Sequence, residues 1–98
     1  MSKIIFSEEG WDDYIYWQGQ DRKTLRKINR LLQSISRDGV LSGEGKPEKL
    51  KHKEGEYSRR IDTENRLVYE FSDEKNYSKV LPWSLRGLKP SYISDQKF

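Results

Sequence analysis

Five apolar residues, Leu25, Ile28, Leu31, Leu32 and Ile35, recur at the spacing that lines up side chains along one stripe of an α-helix. Lys23, Arg26, Lys27 and Arg30 take the remaining faces, as on a helix that packs on a sheet and wets its back. The pattern predicts a helix over roughly Arg22 to Arg37, ended by Asp38-Gly39. Such a helix must bury its stripe against another layer. In a chain of 98 residues, 33% hydrophobic and 36% charged, that layer has to come from a thin core in one domain. Three Trp and six Tyr supply the large buried areas that a disordered chain of this polarity would lack.

The partners of that helix are legible on both sides of it. Lys3 to Phe6 reads as a short strand, and Ser7 followed by Glu8 and Glu9 reads as the N-cap and first turn of another helix. Gly10 weakens this helix slightly. Trp11, Tyr14 and Ile15 are its expected anchors, with Asp12, Asp13 and Tyr16 on a solvated face. Residues 39–47 form a Gly-rich connector without the spacing of a phosphate loop. Short strands follow at Glu48 to Lys51, Tyr57 to Asp62, Arg66 to Phe71 and Tyr77 to Leu85, the last interrupted by Pro82. In the second of these, Tyr57, Arg59 and Ile61 share one face, and Ser58, Arg60 and Asp62 the other. Two helices followed by strands joined through hairpins give an α+β domain.

The composition narrows the chemistry. Without Cys there is no disulfide, thiolate nucleophile or thiolate metal site, and one His makes a His-based metal site implausible. No cofactor is expected. No apolar run is long enough for a signal peptide or membrane span, so the expected location is cytoplasmic. The net charge of +3 is modest, but Lys and Arg cluster at 22–30, 46–60 and 79–97. Such segregation suits a polyanion or an acidic protein partner.

The stretch from Lys46 to Arg66 puts one carboxylate, Glu48, close in sequence to Lys46, Lys51 and His52, ahead of two strands that carry Arg59, Arg60 and Arg66. RNA carries its own nucleophile, the 2′-hydroxyl. Cleaving it takes a base for that proton, cations for the crowded phosphate and an acid for the leaving oxygen. Glu48 is the natural base. Arg66 is the natural phosphate clamp, supported by Arg60 and Lys51, since a guanidinium contacts two phosphate oxygens at once. On spacing alone the readier reading is a Glu48 that simply caps or salt-bridges a neighbouring Lys, and Arg59 reads first as an exposed strand residue. His52 has the side chain of a general acid, but also suits a supporting or surface position.

The segments KPExLKH and YSRRIxxEnRLVY, with SEEGWDDYIYW near the start, resemble the YoeB toxins of the RelE superfamily over about residues 1–71. The resemblance implies two N-terminal helices packed on a twisted antiparallel sheet. It implies a toxin of a type II toxin–antitoxin system that acts as a ribosome-dependent, metal-independent mRNA endonuclease. Glu48 matches the family's general base and Arg66 its transition-state arginine, while Lys51 and Arg60 match basic residues of the active-site face. The implied partners are a YefM/Phd-type antitoxin, the ribosome and mRNA, a homodimer, and operator DNA through the antitoxin alone.

The resemblance fades after about Asp73. Where the family ends in His-Tyr, this chain has Leu85-Arg86, and Leu85 has no proton to give while Arg86 stays protonated. Residues 1–86 are expected to form the toxin domain, and 87–98 a flexible extension. The altered end is read as divergence, an altered reading frame, or a tail in which Tyr92 folds back. The alternative to a nuclease of reduced activity is therefore a relative that binds ribosome, RNA or antitoxin without cleaving. A further alternative, an unrelated basic sheet domain stacking RNA on its aromatics, has no motif behind it.

Overall fold

In the computed structural model, which describes residues 2–51 and 54–82, Ser7 opens the first helix as its position predicts. Its hydroxyl accepts from the Gly10 N–H at 2.9 Å, and Glu8 and Glu9 occupy the first turn. Strand β1 (Lys3–Phe6) leads into this helix, α1 (Glu8–Gln18). Asp21 then caps α2 (Arg22–Asp38) by accepting from the N–H groups of Lys23 and Thr24. The connector leads to β2 (Glu48–Lys49), β3 (Glu56–Arg60), β4 (Arg66–Ser72) and β5 (Tyr77–Leu81).

The strands form one sheet in the order β1-β5-β4-β3-β2. From β2 to β5 it is antiparallel, with Glu48 opposite Ser58, Ser58 opposite Val68 and Val68 opposite Leu81. The expectation of a wholly antiparallel sheet is corrected at one edge. β1 runs parallel to β5, placing Lys3 opposite Tyr77 and Phe6 opposite Val80. Parallel neighbours need a long crossover, and here both helices and three strands supply it.

The stripe of α2 packs as its spacing predicts. Ile28, Leu31 and Ile35 meet Leu67, Tyr69 and Val80, all essentially without exposure. Each such side chain contributes about 1.5–3 kcal/mol by leaving water. The inward face of α1 differs from the expected one. Trp11 and Ile15 are 48% and 45% exposed, whereas Gly10 and Asp13 are buried. Gly10 is the reason. A Cβ there would overlap the Val80 carbonyl, so its absence lets α1 sit directly on the end of β5. That contact turns the Gly10–Asp13–Tyr14–Trp17 strip inward, and Gly10 is a packing residue, not a weak point. The Tyr14 hydroxyl donates to Asn29 Oδ1 at 2.8 Å, tying α1 to α2.

Strand β5 ends one residue before Pro82, short of the expected Leu85, because proline has no N–H for the ladder. Leu85, Arg86, Tyr92 and the proposed 87–98 extension lie outside the described residues.

Candidate active site

Strand alternation sends the adjacent residues Arg59 and Arg60 to opposite sides of the sheet. Arg60 is exposed and stands with Ser58 on the face away from the helices. On that face β4 contributes Arg66, directly opposite Arg60, and β2 contributes Glu48, directly opposite Ser58. Two guanidinium side chains facing each other across strands are destabilising unless an anion separates them. Glu48 supplies part of that charge. Its Oε1 lies 3.4 Å from Arg66 Nη1, which also donates to Ser58 Oγ at 3.2 Å.

This pair is loosely held. The Glu48 side chain is 53% exposed and its contact is long, so it is worth at most about 1 kcal/mol. Nε and Nη2 of Arg66 make no hydrogen bond among the described residues. The site therefore offers an accessible carboxylate beside a half-buried guanidinium with N–H groups that no described residue occupies. That combination can accept a proton and bind a phosphate at once.

From Arg60 the basic surface continues into a groove of about 340 Å³ lined by Lys27, Gly45, Lys46, Arg60, Asp62 and Thr63 together with Ile61. A second groove of about 400 Å³ shares Lys27, Ile61 and Asp62, and extends along α2 past Lys23, Arg26 and Arg30. The acids nearby are already committed. Burial opposes ionisation of Asp62, but the N–H groups of Glu64 and Asn65 outweigh it and hold its carboxyl below the usual range. Glu44 is held low by the Arg30 hydrogen bond and by Lys27, whose Nζ is 3.2 Å away.

A family model described as a YoeB-like toxin of bacterial type II toxin-antitoxin systems matches residues 6–80. Toxin YoeB of Escherichia coli is 51% identical over 73 residues, covering 74% of this chain and 86% of that one. The chain belongs to the YoeB-like toxin family. Among solved structures, the YoeB dimer from Staphylococcus aureus is 46% identical, with a TM-score of 0.77 over 87% of this chain and 97% of that one. The YoeB–YefM complex from the same organism is 46% identical, with a TM-score of 0.75 over 88% and 98%.

Of the residues expected at the site of a YoeB-like toxin, the fold brings together Glu48, Arg66 and Arg60, with Lys46 in the groove beyond Arg60. Lys51 is exposed just past the end of β2. His52 lies outside the described residues. Arg59 is the correction. Expected on an exposed face and among the phosphate-binding residues, it is fully buried. Nε donates to the Tyr69 hydroxyl at 3.0 Å, Nη1 to Ser34 Oγ and the Glu44 carbonyl, and Nη2 to the Gly39 and Ser42 carbonyls. With all five donors used, no edge of this guanidinium is left for RNA. The basic face of α2, read from its spacing as a solvated back, is solvent-facing and also lines the two grooves. Only the position of the β3–β4 turn reveals that Lys27 borders the site.

Proposed function

We propose that this chain is an mRNA endonuclease that cleaves on the ribosome without metal, using the RNA 2′-hydroxyl as nucleophile. The observation that carries the reading is the Glu48 carboxylate at 3.4 Å from the Arg66 guanidinium, on the sheet face away from the helices with Arg60 opposite Arg66. In this scheme Glu48 takes the 2′-O–H proton, and the freed 2′-oxygen attacks the adjacent phosphorus. The P–O5′ bond breaks, leaving a 2′,3′-cyclic phosphate and a 5′-oxygen that must gain a proton. Arg66 and Arg60 neutralise the phosphate oxygens as charge builds.

The partners follow the same reading: a YefM-type antitoxin, a second copy of the chain, and the ribosome with its message. No helix of the described residues is long and apolar enough to cross a membrane. The proposed site of action is the cytoplasm because the proposed substrate is mRNA on the ribosome. A second reading, a toxin fold that binds without cleaving, is favoured by Leu85-Arg86 where the resemblance expects His-Tyr. Loss of a general acid alone lowers the rate by about 10²–10⁴-fold, so cleavage with water as proton donor remains the first expectation.

The test is mRNA cleavage in a reconstituted translation reaction. It compares the chain with Glu48→Ala, Arg66→Ala and a Leu85→His/Arg86→Tyr repair. Cleavage by the chain, slowed at least ~10²-fold in both alanine variants with circular dichroism unchanged, is the expected result. Cleavage only after repair would establish the binding reading instead. Full cleavage by both alanine variants would remove the site assignment.

A further inference from the structure

Arg59 lies on the far side of the sheet from the Glu48–Arg66 pair, yet its acceptors belong to the segments that carry Glu48 into place. Three of them are carbonyls of the connector, at Gly39, Ser42 and Glu44, so one guanidinium ties down three points of a segment with no regular structure. Ser34 of α2 and Tyr69 of β4 complete the set and fix the cation against the core. All five acceptors are uncharged. Charge relief comes through Ser34, whose hydroxyl donates to Asp38 Oδ2 at 2.8 Å. A buried cation held this way loses heavily if any acceptor moves, so the connector is confined to one path.

Three residues separate Glu44 from Glu48, and each is constrained. Gly45 has a φ of +92°, and a Cβ there would press on Leu31 and on Arg59 itself. Its carbonyl accepts from the Arg60 N–H at 2.6 Å. Lys46 has a φ of +51° directly before Pro47, a conformation retained only where the chain is held on both sides. Strand β2 is two residues long and lies at the sheet edge, too short to fix its own position.

We propose that Arg59 is a positioning residue, whose buried guanidinium sets the connector's path and so holds Glu48 opposite Arg66. This rests on the reading of Glu48 as the base. Arg59 touches no substrate, and it acts through the backbone from Glu44 to Glu48.

Arg59→Lys keeps the charge but puts its three donors on one nitrogen, which cannot span the five acceptors. Residue-resolved amide exchange and single-turnover mRNA cleavage on ribosomes would be measured for the chain, Arg59→Lys, Glu48→Ala and the double variant. The Glu44, Leu50 and Arg60 amides, which bond to Ser34, Glu56 and Gly45, are expected to exchange at least ~10-fold faster in Arg59→Lys, with β4 amides unchanged. Cleavage is expected to fall about 10²-fold in the native background, as for a misplaced catalytic group, and less than about 2-fold in Glu48→Ala.

Unchanged exchange at those three amides overturns the proposal, whether or not any form cleaves. So does faster exchange throughout the sheet, or an equal loss of cleavage in both backgrounds, since either is what a merely structural arginine would give. Full cleavage by Glu48→Ala, by contrast, sinks the base reading itself. The positioning role falls with it, even where the exchange pattern is as expected.

Discussion

Arg59 and Arg60 are adjacent, share one side chain and differ in almost every physical respect. Arg59 is enclosed by five oxygen acceptors from α2, β4 and the connector, while Arg60 stands in the open, across from another arginine. The backbone alternation alone separates them. What the contrast teaches is a division of labour across the thickness of one sheet. The inner arginine is costly to remove because its acceptors would be stranded. The outer one faces Arg66 in a like-charge arrangement that costs stability, the cost an anion-binding face would carry under the proposed function.

The largest expected effect would break that contrast outright. Arg59→Leu leaves buried carbonyls and hydroxyls without donors and should lower stability by about 3–5 kcal/mol in a urea titration, whereas Arg60→Leu should stay within about 0.5 kcal/mol. Comparable losses in the two variants would show that burial does not separate their roles.

Next in size is Gly10→Ala. Its methyl group would meet the Val80 carbonyl and push α1 off the sheet, at a cost of about 1–3 kcal/mol, even though alanine is the better helix former. A stabilised variant would mean that the inner side of the sheet tolerates more rearrangement than its packing implies.

The smallest effect sharpens the comparison through pH. Burial pushes the Tyr69 hydroxyl above the usual tyrosine range, against the opposing pull of Arg59. Its folded-state value therefore exceeds its unfolded one. The stability it contributes is complete below the unfolded value, about 10, and is lost as pH rises through the folded one. Urea midpoints should fall as the solution is made alkaline beyond that point. Tyr69→Phe, starting from a lower midpoint, should show a shallower alkaline fall, and equal slopes would remove Tyr69 as the cause.

How much of this was legible in the sequence depended on whether a residue obeyed the usual relation between polarity and exposure. The α2 stripe did, and Ile28, Leu31 and Ile35 are in the core as the spacing predicts. Asp13 and Arg59 did not. Polar side chains on an inward face have no periodic signature, and the carbonyls that accept from Arg59 come from a connector whose path no local pattern specifies. The face of α1 was misjudged for a related reason, because a glycine with nothing to bury decided which side of the helix approaches β5. The parallel edge was illegible because hairpin logic concerns strands adjacent in sequence, and β1 pairs with a strand some seventy residues later. Glu48 and Arg66 were singled out among many charged residues by a family resemblance, and the fold brings them to 3.4 Å of one another.

That same edge bears on how the chain is made. A ribosome delivers β1 first and β5 more than seventy residues afterwards, so the first strand has no neighbour in the sheet until nearly the whole described domain has emerged. Long-range pairings of this kind are slow to form. Pulse-labelled exchange during refolding should find the β1 amides protected after those of the β3–β4 hairpin. An unfinished copy thus lacks one edge of its sheet, and assembly of the domain is tied to completion of its synthesis.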